Sequence, residues 1–347
     1  MNHVRNATLV LVAALAGCSS SATPGNGLPA GNAELDHTRY VAGPAAQKTV
    51  QTLYLANRDS PAILGFPANS EGNTKPSISI SGSNTLLEEP DALAVDAHGN
   101  IYTANDGGQE IYIFPAGSNG NVTPKVLGGS NVPLTATEGI AIDRNGEIYV
   151  SDYGANQILI FAAGASGNTA PIRTISGANT GVDEPLGMAF DSANDLYVSN
   201  GYYGSRDNPP IVEFSPTANG DVKPIGTLGI PGGGGKATLD GQFSIAVNAK
   251  DDIIVGNTHT GAVDIFKHGA RGNVKPDAII TGSNTGFDDI TSLGIDAKGF
   301  IYVTNYAGTS PDAVLVFSPS AKGNAAPVRV LSGTKTTFSE PLCPSFF

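Results

Sequence analysis

Apolar residues occur in runs of four or five, separated by polar turns rich in Gly, Asn and Asp. The pattern is plainest over residues 148–161, Ile-Tyr-Val-Ser-Asp-Tyr-Gly-Ala-Asn-Gln-Ile-Leu-Ile-Phe. Two β-branched and aromatic runs around a Gly/Asn turn form a strand–turn–strand signal. The opening of this stretch returns at residues 53–57, 101–105, 196–200, 253–257 and 301–305. Its closing Asn or Asp stands at 57, 105, 152, 200, 257 and 305, in steps of 48, 47, 48, 57 and 48. A fixed period of that length, built of strands and turns, predicts stacked β units.

Within one period the pattern predicts four strands, at residues 92–95, 101–104, 110–114 and 126–127, with a tight Asp-Ala-His-Gly-Asn turn over 96–100. Between the third and fourth strands lies a Gly-Asn-x-x-Pro turn, as at Gly120, Asn121 and Pro124. Gly and Asn tolerate the left-handed conformation of a turn. Proline lacks an N–H and so suits an edge strand, which makes the fourth strand the rim of its unit. By strand direction, the turn at Asn121 and Asn273 is expected on the face opposite the second-to-third and fourth-to-first loops.

Six four-stranded units in a closed ring form an all-β, six-bladed β-propeller. The aliphatic-Ala-x-Asp strand, the Asp-x-x-Gly turn and the Ile-Tyr-Val-(Ser/Thr)-(Asn/Asp) strand resemble NHL-repeat propellers, and loosely the Tyr-Val-Thr-Asn family, over roughly residues 50–347. That resemblance specifies a fold and leaves enzymes, ligand binders and partner platforms open. The first unit begins at its second strand, and residues 340–346 align with the first-strand stretch 184–190. The C-terminal strand is therefore expected to complete the first blade.

Composition adds an address. Arg5 precedes an apolar stretch at residues 7–16 that is too short to span a bilayer, and Leu15-Ala16-Gly17-Cys18 resembles the lipobox of bacterial lipoproteins. The resemblance implies a signal peptide at 1–17, lipidation at Cys18, a flexible Gly/Pro/Ser-rich tether at 18–47 and the propeller at 48–347. Ser19 and Ser20, with no aspartate, imply the outer membrane. An acylated Cys18 leaves Cys343 no disulfide partner, so Cys343 is expected as a small buried apolar residue. The net charge of −12 argues against nucleic acid as a partner and permits a cation or a cationic partner.

The chemistry is less legible. The Asn/Asp series is expected to cap its turns. An acidic collar precedes the first strands, and Glu89, Glu184 and Asp289 are its candidates for Ca²⁺, a cofactor that oxygen ligands permit and nothing in the sequence requires. The long 57-residue step holds extra loop at residues 201–210 and 230–240. Breaks in a repeat are where binding is often built. Tyr202, Tyr203 and Arg206 offer stacking surface and a bidentate donor, with Tyr153, His259 and Tyr306 on neighbouring loops. The run Gly232–Lys236 fails as a P-loop, since Ile230 and Ala237 replace required residues. Gly-x-Ser-x-Gly and His-Glu-x-x-His are absent, and so are the histidine set of lyase-type NHL propellers and the Ser-Pro-Asp-Gly signature of gluconolactonase-like ones. The reading is a lipid-anchored extracytoplasmic module that binds a protein or small ligand on its loop face. The alternative is a Ca²⁺-dependent lactonase-like hydrolase.

Overall fold

The computed structural model describes residues 50–201, 208–232, 235–239, 242–306 and 311–347. Six antiparallel sheets of four strands follow one another as blades I–VI around a ring. Blade II shows the plan: β4 (Pro90–Val95) is innermost, followed outward by β5 (Ile101–Asn105), β6 (Ile111–Phe114) and β7 (Lys125–Leu127). Every third strand carries a phenylalanine at or next to its end, Phe66, Phe114, Phe161, Phe214, Phe266 or Phe317, each at most 1% exposed. Strands buried on both faces read as continuous apolar runs, which is why alternation is weak in this sequence.

The ring closes as expected. The last strand, Pro341–Phe346, pairs antiparallel with Thr52–Asn57, placing Phe346 opposite Leu53 and Pro341 opposite Asn57. Backbone hydrogen bonds in both directions between Thr52 and Phe347 extend that pairing.

A second fastening recurs at all six seams. The glycine of each Gly-Asn or Gly-Asp turn forms a parallel bridge to the fourth strand of the preceding blade, from Gly120 against Ile80 round to Gly72 against Leu331. The Asn or Asp side chain then accepts the N–H of a residue in the preceding blade's fourth-to-first loop, as Asn121 does from Asn84 at 2.7 Å and Asn73 from Lys335 at 2.6 Å. Gly82 makes room for this contact. It sits at φ +119°, and a Cβ there would lie 2.7 Å from Asn121 Cγ. The turn expected on the opposite face thus climbs the blade edge to the loop face, because its Asn is recruited between blades rather than within one.

Candidate functional site

The innermost strands share one irregularity. In each, the pairing with the second strand slips near its start, between Pro90 and Ala92, Thr137 and Gly139, Pro185 and Met188, Gln242 and Ser244, Ile290 and Ser292, and along Leu342–Ser345. A bulge of this kind re-aims a side chain. In blades II and III the bulged residues are Asp91 and Glu138, and both line a cavity of about 450 Å³ at the mouth of the channel. All six blades contribute to it, with Arg58 and Glu340 from blade I, Tyr153 from III, Gly201 from IV, Thr258 from V and Asp289 from VI.

Charge in this mouth is concentrated on blades I–III. Oxygens of Asp91, Asp106 and Glu138 all lie within 4.8 Å of one another. Arg58 pairs with Asp106 and stands 3.5 Å from Glu340. Burial pushes the Asp91 carboxyl above its ordinary range, against the pull of Arg58. Burial raises Glu138 as well, reinforced by the negative charge of Asp91 and Asp106, and the two carboxyls hydrogen-bond each other. Glu340 is likewise raised by burial, with Arg58 opposing. A closely spaced carboxyl pair that holds a proton releases it to solvent when a cation binds. Carboxylate oxygens at this spacing suit a hard cation or an ammonium group.

The residues singled out from sequence divide. Tyr153 lines the mouth, in a 3₁₀ turn at Tyr153–Ala155. Asp289 lines it too; burial raises its carboxyl, helped by Asp288 and opposed by His259. His259 is exposed near that carboxyl, and Tyr306, 37% exposed, lies opposite Asp289 in the strand register. Glu89 is exposed, and its charge acts on Arg58 and Asp91. Glu184 has a left-handed backbone at φ 48°, its N–H is held by Asn156 Oδ1 at 2.6 Å, and it does not line the mouth. Glu89, Glu184 and Asp289 are therefore not brought together, and Asp91, Asp106 and Glu138 are. Tyr202, Tyr203, Arg206 and Cys18 lie outside the described residues.

The Asn/Asp series is used internally. Asn57, Asn105, Asn200 and Asn305 each accept an N–H from the preceding fourth-to-first loop, from Ser339, Glu88, Asp183 and Asp288 respectively. Asp152 accepts from Thr135 and Ala136, and Asn257 donates to the Thr238 carbonyl at 2.6 Å. These side chains set loop height around the mouth. Cys343 also lines the mouth and is 3% exposed, as expected of a small buried residue, but it is disulfide-bonded, in contrast to the sequence expectation.

Several solved structures share this architecture. A protein of unknown function from Bacteroides caccae is 12% identical at a TM-score of 0.57, over 85% of this chain and 97% of that one. A chain of the nidogen/laminin complex is 14% identical at 0.60, over 85% and 98%. A Bacteroides fragilis protein with a provisional 6-phosphogluconolactonase assignment is 15% identical at 0.55, over 88% and 100%. At these identities the likeness is one of fold. No curated protein matches the chain. Residues 138–161, from the bulged Glu138 to the end of the third strand of blade III, match the NHL repeat, and the chain is a six-bladed β-propeller that carries it.

Proposed function

We propose that this propeller is a lipid-anchored extracytoplasmic binding module whose central mouth takes a positively charged ligand. The observation that carries this reading is the mouth itself. It is a cavity of about 450 Å³ built by all six blades, lined among the described residues by Asp91, Asp106, Glu138, Asp289 and Glu340 and by one guanidinium, Arg58. Five carboxyl groups around one concave site focus negative potential there and draw cations in. The anchor rests on the Leu15–Cys18 motif, and it would place the mouth outside the cytoplasm at the end of a tether. The experiment is calorimetric titration with spermidine, arginine amide and Ca²⁺ of the wild type and an Asp91→Asn, Glu138→Gln variant. Saturable binding by the wild type and its loss in the variant support the reading. A wild type that binds none of these cations defeats it.

A Ca²⁺-dependent lactonase-like hydrolase is the second reading, favoured by the mutual spacing of Asp91, Asp106 and Glu138. Three carboxylates can hold Ca²⁺, which would polarise a lactone carbonyl. A calcium-dependent, EDTA-sensitive hydrolysis of aldonolactones, lost in the same variant, would establish it over simple binding.

A further inference from the structure

Five of the six seams between blades are filled at the same place by a tyrosine. Tyr54, Tyr102, Tyr149, Tyr197 and Tyr302 occupy equivalent positions on the second strands and are at most 5% exposed. Each packs into the seam with the following blade. Tyr302 donates its hydroxyl to the Ala68 carbonyl of the next blade at 2.5 Å and receives Arg329 at 3.0 Å. Tyr149 receives Arg173 at 3.1 Å, and Arg173 also donates to the Pro216 carbonyl across the seam at 2.6 Å. Ring and guanidinium together plug the seam.

Blade V lacks both parts of the plug. Ile254, opposite Ala246 and Ile265, stands where the other blades have tyrosine. Ala278, opposite Ile265, stands where Arg173 and Arg329 lie in blades III and VI. In blade IV, Gly226 takes that position, but Arg271 of blade V reaches across to pair with Glu213. The seam between V and VI has no such substitute. A cavity of about 320 Å³ opens there, on the face away from the mouth, with Ile254, Ile265, Ala278 and Ile301 among its walls.

The rim of this cavity is basic in a chain of 31 acidic and 19 basic residues. Lys267 is 3.4 Å from both Asp252 and Asp277. Lys250, Lys298 and Lys322 also line the cavity and form no ion pair among the described residues. The carboxylate of Asp296 accepts the turn N–H groups of Lys298 and Phe300 at 2.9 Å. Asp252, Asp277 and Asp296 line the same cavity, so its four lysines leave the lining one positive charge in excess, and Lys250, Lys298 and Lys322 are exposed. A partly apolar cavity with a small excess of lysines over aspartates in its lining has the makeup of a small-ligand site.

We propose that the seam between blades V and VI is a second ligand site, for a small aromatic anion whose ring takes the place of the missing tyrosine. The anionic group meets the ammonium groups of Lys250, Lys298 and Lys322, where a carboxylate or a phosphate would serve. This site is independent of the central mouth and of the ligand proposed for it.

Calorimetric titration of the full chain with 4-hydroxybenzoate and with phenyl phosphate tests this, with 4-hydroxybenzamide as the neutral control. At least one anion should bind saturably, and which one binds more tightly identifies the head group. The benzamide should bind at least about tenfold more weakly. Ile254→Tyr should abolish binding and raise the melting temperature, since it restores the ring the other seams contain. Lys298→Ala with Lys322→Ala should weaken binding about tenfold at an unchanged melting temperature. If Ile254→Tyr does not fold, the lysine variant decides alone. Failure of both anions to bind the wild type, or undiminished binding in the lysine variant, would overturn the proposal; the first result would mean a water-filled packing gap.

Discussion

Glu138 and Asp91 hydrogen-bond each other across the seam between blades II and III, each carried into the channel by a bulge at the start of an innermost strand. Two carboxyls in that position cannot both ionise without cost. Burial raises both carboxyls, with the charge of Asp91 and Asp106 adding to the effect on Glu138, so both bind a proton more tightly in the folded chain than in the unfolded one.

The sign of the pH effect follows. Where the folded state retains protons that the unfolded state has lost, stability falls as pH rises. The decline should begin above the ordinary carboxyl range, about 4 to 4.5, and run to neutral pH and beyond, where Glu138 ionises. Glu138→Gln removes the proton-binding group and keeps the hydrogen bond to Asp91. Thermal melts from pH 5 to 9 should show the variant losing less stability than the wild type, because Asp91 still carries a burial-raised carboxyl while the contribution of Glu138 is gone. At pH 8.5 the variant should melt higher, by about 2–4 °C for each kcal/mol recovered. Parallel curves would show that the pair is not protonated.

The closing strand should be indispensable. Deleting residues 340–347 leaves blade I with three strands and removes Leu342, Cys343 and Phe346, all buried. An exposed inner edge and an opened core favour aggregation. Loss of a Phe-sized contact alone costs about 3–5 kcal/mol. The truncated chain should be recovered mainly as aggregate by size-exclusion chromatography, whereas a monomer with wild-type melting would contradict the pairing of the two chain ends.

The seam fastening makes a coupled prediction. Gly82→Ala should destabilise by about 1–3 kcal/mol, because the left-handed backbone and the Asn121 side chain both resist a Cβ. Asn121→Ala should cost about 1–2 kcal/mol through the lost hydrogen bond to Asn84. The double variant should cost less than the sum, since removing Asn121 relieves the clash. Urea unfolding of the four proteins closes the cycle, and additivity would argue that the two residues act separately.

Cys18 has two fates that exclude each other. A diacylglyceryl thioether at Cys18, as the lipobox implies, removes the only other cysteine from reach of a disulfide with Cys343. In a chain that carries the anchor, mass spectrometry of the membrane-extracted protein under non-reducing conditions should find a lipidated N-terminal peptide and an alkylatable Cys343 in place of the disulfide. A disulfide-linked pair of peptides, with no lipid mass, would remove the anchor.

The scaffold was legible because the six-fold period, the apolar runs and the residues 340–346 repeat one local pattern, and local patterns survive in a one-dimensional reading. The mouth was not. Whether Glu89 or Asp91 points into the channel depends on a one-residue slip in pairing, and no residue type near Pro90 announces a bulge. Collar position alone selected Glu184 and Asp289, of which only the second reaches the cavity. The Gly-Asn turn could be seen as a turn, but its partner belongs to another blade, and the chain carries no mark of which blade that is. Ile254 was visible as a break in the tyrosine series. Its meaning needed the neighbouring Ala278, 24 positions away in sequence and on the same wall of a cavity in space.

The chain end strand Thr52–Asn57 is gripped on both sides, by Pro341–Phe346 and by Ala62–Pro67. This has a mechanical corollary. If residue 18 is anchored, a pull on the chain that precedes the propeller reaches it at Val50 and is borne along the strand axis. Both antiparallel ladders then bear the load in shear, with their hydrogen bonds strained together. The fold is thus hardest to tear at the place where a tether would tug on it, and a pull applied across a rim strand such as Ile78–Ile80 would meet far less resistance, opening one bond at a time.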